Sequence, residues 1–84
     1  MKALNQDGDV VGAISLTVEN LSNGRWLPKC SFFYHLGDPG GKPSRVLIPG
    51  PDFKTQEEAQ RAALAAARSF LAMEYPEVLG LRST

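Results

Sequence analysis

Two runs of alternating residues on either side of the Asn23-Gly24 pair constrain the fold more than any other feature of the chain. In residues 10–18 the even-numbered positions are mostly apolar, which is the period of a β-strand that buries one face. Residues 29–36 alternate in the same sense. Because Asn-Gly favours a tight turn between strands, the pattern predicts a β-hairpin.

The register of this hairpin depends on the length of its loop. A two-residue Asn23-Gly24 loop would set Leu16 opposite Ser31, an apolar residue opposite a polar one on the same face. A three-residue loop with Gly24 in the left-handed conformation shifts the pairing by one residue, so that Leu16 faces Cys30. Since facing residues share a side of the sheet, the hydrophobic pattern favours the three-residue loop.

Three strands are predicted in all. The second covers residues 29–36, because Pro28 cannot donate to a strand ladder and regular pairing should begin after it. Residues 37–44 contain three glycines and two prolines, which predicts a loop. A short third strand follows at residues 45–48.

One helix is predicted after the strands. Thr55 can accept a hydrogen bond from the backbone of Glu58, which makes Thr-Gln-Glu-Glu a capping box. Helix-forming residues continue to about Glu74, and Pro76 ends the helix. The helical period predicts one buried face, composed of Ala59, Ala62, Ala63, Ala66, Phe70 and Met73.

The predicted fold is therefore α+β, a three-stranded antiparallel meander with one C-terminal helix packed on one face (β-β-β-α). A chain of 84 residues is long enough for a single domain, residues 1–84. We expect a flexible N-terminus at residues 1–9, a core at residues 10–76 and a C-terminal tail at residues 77–84. The tail or a second subunit is expected to cover a further apolar strip on the helix, formed by Leu64, Ala67 and Leu71.

Composition excludes several classes of protein. Nine Lys and Arg residues balance nine Asp and Glu residues, which excludes a strongly basic nucleic-acid-coating protein but permits a local basic face. No apolar run approaches the ~18 residues of a membrane span. The N-terminus does not read as a secretory leader and the chain has a lone thiol, so we expect a cytoplasmic protein.

No pair of residues predicts catalysis. Cys30 and His35 lie five residues apart on one strand, so their side chains point to opposite faces, and a single histidine with a single cysteine cannot supply a common metal site. Glu57 and Glu58 are explained by helix capping. The glycines of residues 37–41 are not followed by the Gly-Lys-Ser/Thr ending of a phosphate-binding loop, and no helix is predicted to begin there. We therefore expect no enzyme, no cofactor, no metal, and no catalytic residue.

The sheet face away from the helix offers a candidate binding surface. The predicted register places basic and aromatic side chains there, beside a hairpin with an arginine and a tryptophan. A face of this kind can bind nucleic acid, and the alternatives are a protein contact and a solvated face. The candidate residues for a nucleic-acid or partner surface are Arg25, Trp26, Lys29, Phe33, His35 and Arg45.

Residues 23–26, Asn-Gly-Arg-Trp, followed by strands and by an alanine-rich helix opening at residues 53–59, resemble the ethylene-response-factor type of DNA-binding domain. In that family a three-stranded sheet enters the major groove and carries several arginines and tryptophans. The resemblance implies a DNA-binding sheet face, for which the candidates are Arg25, Trp26, Lys29 and Arg45.

Other resemblances cover parts of the chain. The Thr-x-Glu-Glu-Ala opening of residues 55–59 is similar to HicB-type antitoxins, whose C-terminal DNA-binding segment has no counterpart here. The sheet and helix together resemble double-stranded-RNA-binding domains, but those place lysines where this helix begins with Gln-Glu-Glu, which argues against RNA. The layout of residues 10–73 resembles small bacterial β-β-β-α proteins without an assigned function, which implies no activity.

The sequence thus favours a small non-enzymatic interaction or regulatory module that is capable of forming a homodimer or of binding another protein. The alternative is a nucleic-acid-binding module that uses the open sheet face. Neutral net charge favours the first function. Clustering of Arg25, Lys29, Lys42 and Arg45 on one side would favour the second.

Overall fold

The computed structural model describes residues 1–35, 42–50 and 52–83. Its elements are β1 (Lys2–Leu4), β2 (Val10–Asn20), β3 (Trp26–Tyr34), β4 (Ser44–Val46), α1 (Gln56–Glu74) and β5 (Gly80–Arg82). The strands form one antiparallel sheet in the order β4-β3-β2-β1-β5, and α1 packs across β2, β3 and β4. Within the described residues, no helix is both long and apolar enough to cross a membrane. The α+β class is as predicted, but the sheet has five strands and not three.

The central hairpin has the predicted register. Leu16 lies opposite Cys30, and Gly24 adopts a positive φ of 81°. Two backbone hydrogen bonds close the loop. The amide of Gly24 donates to the carbonyl of Leu21 at 2.9 Å, and the amide of Leu21 donates to the carbonyl of Arg25 at 2.7 Å. This is the three-residue turn that the hydrophobic pattern selected over the shorter one.

The predicted start of β3 was wrong. The strand begins at Trp26, and Pro28 pairs with Val18 inside it. The backbone of Trp26 bonds to Phe53 on the side away from β2, so by strand alternation the nitrogen of Pro28 also faces that side. The last residue of β4, Val46, lies opposite Cys30, so β4 does not extend as far as Pro28. The missing N–H of Pro28 therefore costs the sheet no hydrogen bond.

The predicted third strand is also displaced, since β4 covers Ser44–Val46 and not residues 45–48. Leu36, the predicted end of the second strand, and most of the predicted loop at residues 37–44 lie outside the described residues, which resume at Lys42.

The two strands that the sequence did not predict come from the ends of the chain. Residues 1–9 were expected to be flexible, yet β1 lies inside the sheet between β2 and β5, and Ala3 is fully buried. The tail forms β5, with Leu81 opposite Ala3. Strands of three residues are too short to show a two-residue period, so nothing in their local sequence marks them.

The helix begins as predicted, and its buried face is shifted from the predicted one, with Ala59 and Ala63 in both. The Thr55 oxygen accepts from the Glu58 backbone at 3.1 Å, and the helix ends at Glu74. Its buried residues are Ala59, Ala63, Ala67 and Leu71. Met73, predicted to be buried, is 79 % exposed. The face is rotated toward the predicted second strip because Val78 and Leu81 of the tail pack into the core beside Leu71.

The core centres on Phe32, which is 1 % exposed. Its ring lies edge-on to Tyr75, Tyr34 and Phe70, with ring centroids 4.9, 6.0 and 6.2 Å away. Gly12 lies directly beneath it, where an added Cβ would be 2.8 Å from the Phe32 ring and 2.5 Å from the backbone oxygen of Phe33. The strand therefore needs glycine at this position in order to accept the ring.

Candidate functional site

The face of the sheet away from α1, here called the open face, is defined by the strand register. Facing residues share a side of a sheet, so the pairing of Arg82 with Lys2, Lys2 with Ala13, and Ala13 with Phe33 places these side chains in one row. A second row contains Ser15, Ser31 and Arg45. Thr17 and Lys29 form a third.

Charge is unevenly distributed over this protein of zero net charge. All basic residues in the five described strands, Lys2, Lys29, Arg45 and Arg82, lie on the open face. The acidic residue within these strands is Glu19, whose carboxylate lies 3.1 Å from the Lys29 ammonium. The other described acids lie in the β1–β2 turn, on α1 or beside it: Asp7, Asp9, Asp52, Glu57, Glu58, Glu74 and Glu77.

Two of the predicted site residues contact the segment that precedes α1. The Arg25 guanidinium donates to the Asp52 carboxylate, and both side chains are partly buried. Trp26 exchanges two backbone bonds with Phe53, at 2.8 and 2.9 Å, and its strand position directs its side chain toward the α1 side. These contacts fix the segment before α1 to the end of the central hairpin.

The remaining predicted residues do lie together. Phe33 is 38 % exposed, and its ring centroid lies 5.5 Å from that of the exposed His35. Lys29 and Arg45 flank a shallow depression of about 270 Å³ whose floor carries the hydroxyl residues Ser15, Thr17 and Ser31.

Sequence reasoning missed Lys2 and Arg82, which belong to the same face. The N-terminal segment was expected to be flexible and the tail was placed against the helix, so neither was assigned to the sheet. The triplets that form these strands, Lys-Ala-Leu and Gly-Leu-Arg, are too short to carry a recognisable strand pattern.

A second surface lies between the β4 edge of the sheet and the helix, and is called the β4–α1 groove. This open groove has a volume of about 580 Å³, and three alanines of the helix contribute to its lining. Leu47 and Met73, which are 85 % and 79 % exposed, line it. Its lining residues are Arg45, Val46, Leu47, Pro49, Phe53, Ala62, Ala65, Ala66, Ser69, Phe70 and Met73.

Three further titratable side chains differ in their surroundings. Cys30 is buried on the α1 side, and burial raises the pKa of its thiol, whereas His35 is exposed beyond the end of β3. The Tyr34 hydroxyl donates to Glu77 at 2.9 Å, and this hydrogen bond raises the pKa of Tyr34. Among the residues that the structure describes, no three His, Cys, Asp or Glu side chains are grouped to hold a metal ion.

The chain was compared with models of known protein families, with curated proteins and with solved structures, and none of the three comparisons finds a match. The family resemblances noted from the sequence remain predictions.

Proposed function

We propose that this protein is a non-enzymatic interaction module that forms a homodimer through the β4–α1 groove. The observation that carries the proposal is the exposure of Leu47 and Met73 on the two sides of an apolar groove. Two large apolar side chains next to one apolar recess mark a surface that another molecule covers. The lone thiol of Cys30 supports a cytoplasmic setting for this module.

The lining of the groove favours a protein over a small molecule. Small-molecule sites combine an apolar wall with several placed polar groups that orient the ligand. Here Arg45 and Ser69 are the polar side chains in the lining, and the rest is aliphatic, aromatic or alanine. Apolar contact of this kind gives affinity through area, as in a subunit interface.

A second copy fits because the groove carries both halves of a complementary contact. A two-fold interface places the same patch on each subunit, so a projecting residue and a recess must both belong to that patch. Leu47 and Met73 project, while Ala62 and Ala66 form the recess. In a two-fold arrangement, each subunit inserts its projecting side chains into the recess of the other.

The edge of the sheet offers hydrogen bonds to the same contact. The even-numbered residues of β3 direct their backbone groups away from β2, as the Trp26–Phe53 hydrogen bonds show, so Ser44 and Val46 bond to β3 and the backbone groups of Arg45 point away from the sheet. Two β4 strands related by a two-fold axis at Val46 would pair Arg45 of one subunit with Leu47 of the other. In this register the two Arg45 side chains do not lie directly opposite each other. Like charges directly opposite on paired strands would destabilise the contact.

Sedimentation equilibrium over a range of concentrations tests the proposal. We expect a species of twice the 9.1 kDa chain mass, and Met73→Glu should convert it to a monomer with an unchanged circular dichroism spectrum. Leu79→Glu is the matched control, because Leu79 is also apolar and 66 % exposed but lies outside the groove. A wild-type monomer at every concentration, or equal dissociation by both substitutions, would contradict the proposal.

A further inference from the structure

We infer that the open face binds single-stranded nucleic acid, with phosphates on its basic residues and a base on Phe33. This surface faces away from α1, and its ligand differs in chemistry from the partner of the β4–α1 groove. The inference does not depend on dimer formation.

Charge complementarity is the first argument. A chain with no net charge places the four basic residues of its strands on one face, with one acid among them. Lys2 and Arg82 are direct cross-strand neighbours, a placement that like charges disfavour unless an anion lies between them. The described acids outside the strands lie in the β1–β2 turn, in the segment before α1, on α1 or after it, so the strand residues of the open face comprise four bases and one acid.

The polar floor between the basic residues is the second argument. The hydroxyls of Ser15, Thr17 and Ser31 line the depression that Lys29 and Arg45 flank, and hydroxyl groups with basic side chains are typical phosphate partners. The ion pair of Lys29 with Glu19 is more than half exposed at both side chains. An exposed pair contributes little stability, so Lys29 can exchange this partner for a phosphate.

An exposed aromatic ring in the same face is the third argument. Phe33 lies in the row of Lys2 and Arg82, and the imidazole of His35 lies next to it. Nucleobases stack on aromatic side chains of sheet surfaces, and positive residues around them bind the backbone. A ring on an exposed strand next to basic residues is thus suited to an unpaired base.

The width of the sheet argues for a single strand over a duplex. Five strands at ~4.8 Å spacing put the basic residues of β5 and of β4 about 19 Å apart. The major groove of B-DNA is only about 12 Å wide, which admits a narrow ribbon of strands. The open face therefore does not enter a groove as the three-stranded sheet of ethylene-response-factor domains does, whereas a flexible strand can lie across it.

Fluorescence anisotropy with a labelled oligothymidine of about 16 nucleotides tests the inference. With four phosphate contacts on a single strand, the slope of log affinity against log salt should be about −2.8. Raising salt from about 50 to about 200 mM should then weaken binding roughly 50-fold. A duplex of the same length should bind more weakly than the single strand at each salt concentration.

Matched variants locate the site. Lys2→Gln with Arg82→Gln should weaken binding and reduce the salt slope to about −1.4, since two of four contacts are lost. The control is Arg61→Gln with Arg68→Gln, which removes the same charge from exposed positions of α1 and should leave the slope unchanged. Phe33→Leu should weaken binding at least about fivefold with no change of slope, because stacking is lost but charge is kept.

Three results would overturn the inference. They are no binding of the oligothymidine at low salt, equal loss of binding in the two double variants, and tighter binding of the duplex. Each variant is first shown to unfold at the wild-type denaturant midpoint, so that lost binding is not lost structure. Retention of binding in Met73→Glu would separate this site from the β4–α1 groove.

Discussion

The two faces of the sheet are made by the same strands and have opposite chemistry. On the α1 side the strands contribute glycine, aliphatic and aromatic residues to the core, while the open face carries mainly hydroxyl, basic and small residues together with the exposed ring of Phe33. Phe32 and Phe33 are chain neighbours, yet one is 1 % exposed and the other 38 %. The position of a residue in the two-residue period, more than its type, therefore decides whether it stabilises the fold or is available to a partner.

The largest expected difference in the free energy of unfolding comes from replacing each of these two phenylalanines with alanine. Phe32→Ala should lower the free energy of unfolding by about 3–5 kcal/mol, because it removes the ring at the centre of the core. Phe33→Ala should cost less than about 1 kcal/mol, since its ring is partly solvated. Denaturant unfolding of both variants measures the difference. Similar losses would show that the two faces do not divide these roles.

Glycine substitutions compare the covered centre of the sheet with its edge. Gly12→Ala should cost about 1–3 kcal/mol, because the new methyl group would meet the Phe32 ring and the Phe33 carbonyl. At Gly80 in β5 an added Cβ meets nothing within 4 Å, so Gly80→Ala should be neutral or stabilise by up to about 1 kcal/mol. Thermal melting of both variants gives the ranking, and a larger loss at Gly80 would contradict it.

One arginine and one lysine extend the comparison to charged side chains. Arg25→Ala should cost about 1 kcal/mol, because its partly buried bond to Asp52 holds the segment before α1. Lys29→Ala should change the free energy of unfolding by about 0.5 kcal/mol or less, since its pair with Glu19 is exposed. Unfolding in low and high salt checks both values. A larger cost for Lys29 would mean that the open face supports the fold.

The smallest expected effect is a pH dependence at the edge of the aromatic cluster. The hydrogen bond to Glu77 raises the pKa of Tyr34, so the folded state favours the protonated phenol. The resulting stabilisation is complete below the pKa of an unfolded tyrosine and is lost as pH rises through the higher folded pKa. Glu77→Gln should lower the pKa of Tyr34, as measured by absorbance titration in a Tyr75→Phe background. An unchanged pKa would exclude Glu77 as the cause.

The helix and the central hairpin could be predicted because their signals are local. Thr55 and Pro76 bracket the helix within the sequence, and the hydrophobic alternation beside Gly24 selects one register. The strands β1 and β5 could not be predicted, because each has only three residues and is recognisable only through its pairing with neighbouring strands. This omission also misplaced the buried face of α1 and left Met73 in the predicted core.

The candidate site was predicted to a similar degree. Lys29, Phe33, His35 and Arg45 follow from the alternation of β3 and from the pairing of β4. The bonding of Arg25 to Asp52 joins segments that are distant in the chain, so no local pattern indicates it.

The pairing of β1 with β5 has a consequence for the order in which the sheet assembles. The β2–β3 hairpin closes a three-residue turn, whereas Lys2 meets Arg82 only after almost the whole chain has been brought together. Non-local pairings form late in folding, because the chain loses the entropy of closing a long loop before the new contact contributes any stability. We therefore expect amide exchange to be fastest in β5 and slowest in the central hairpin. A polyanion held by Lys2 and Arg82 would join the two ends of the chain and slow the exchange of β5.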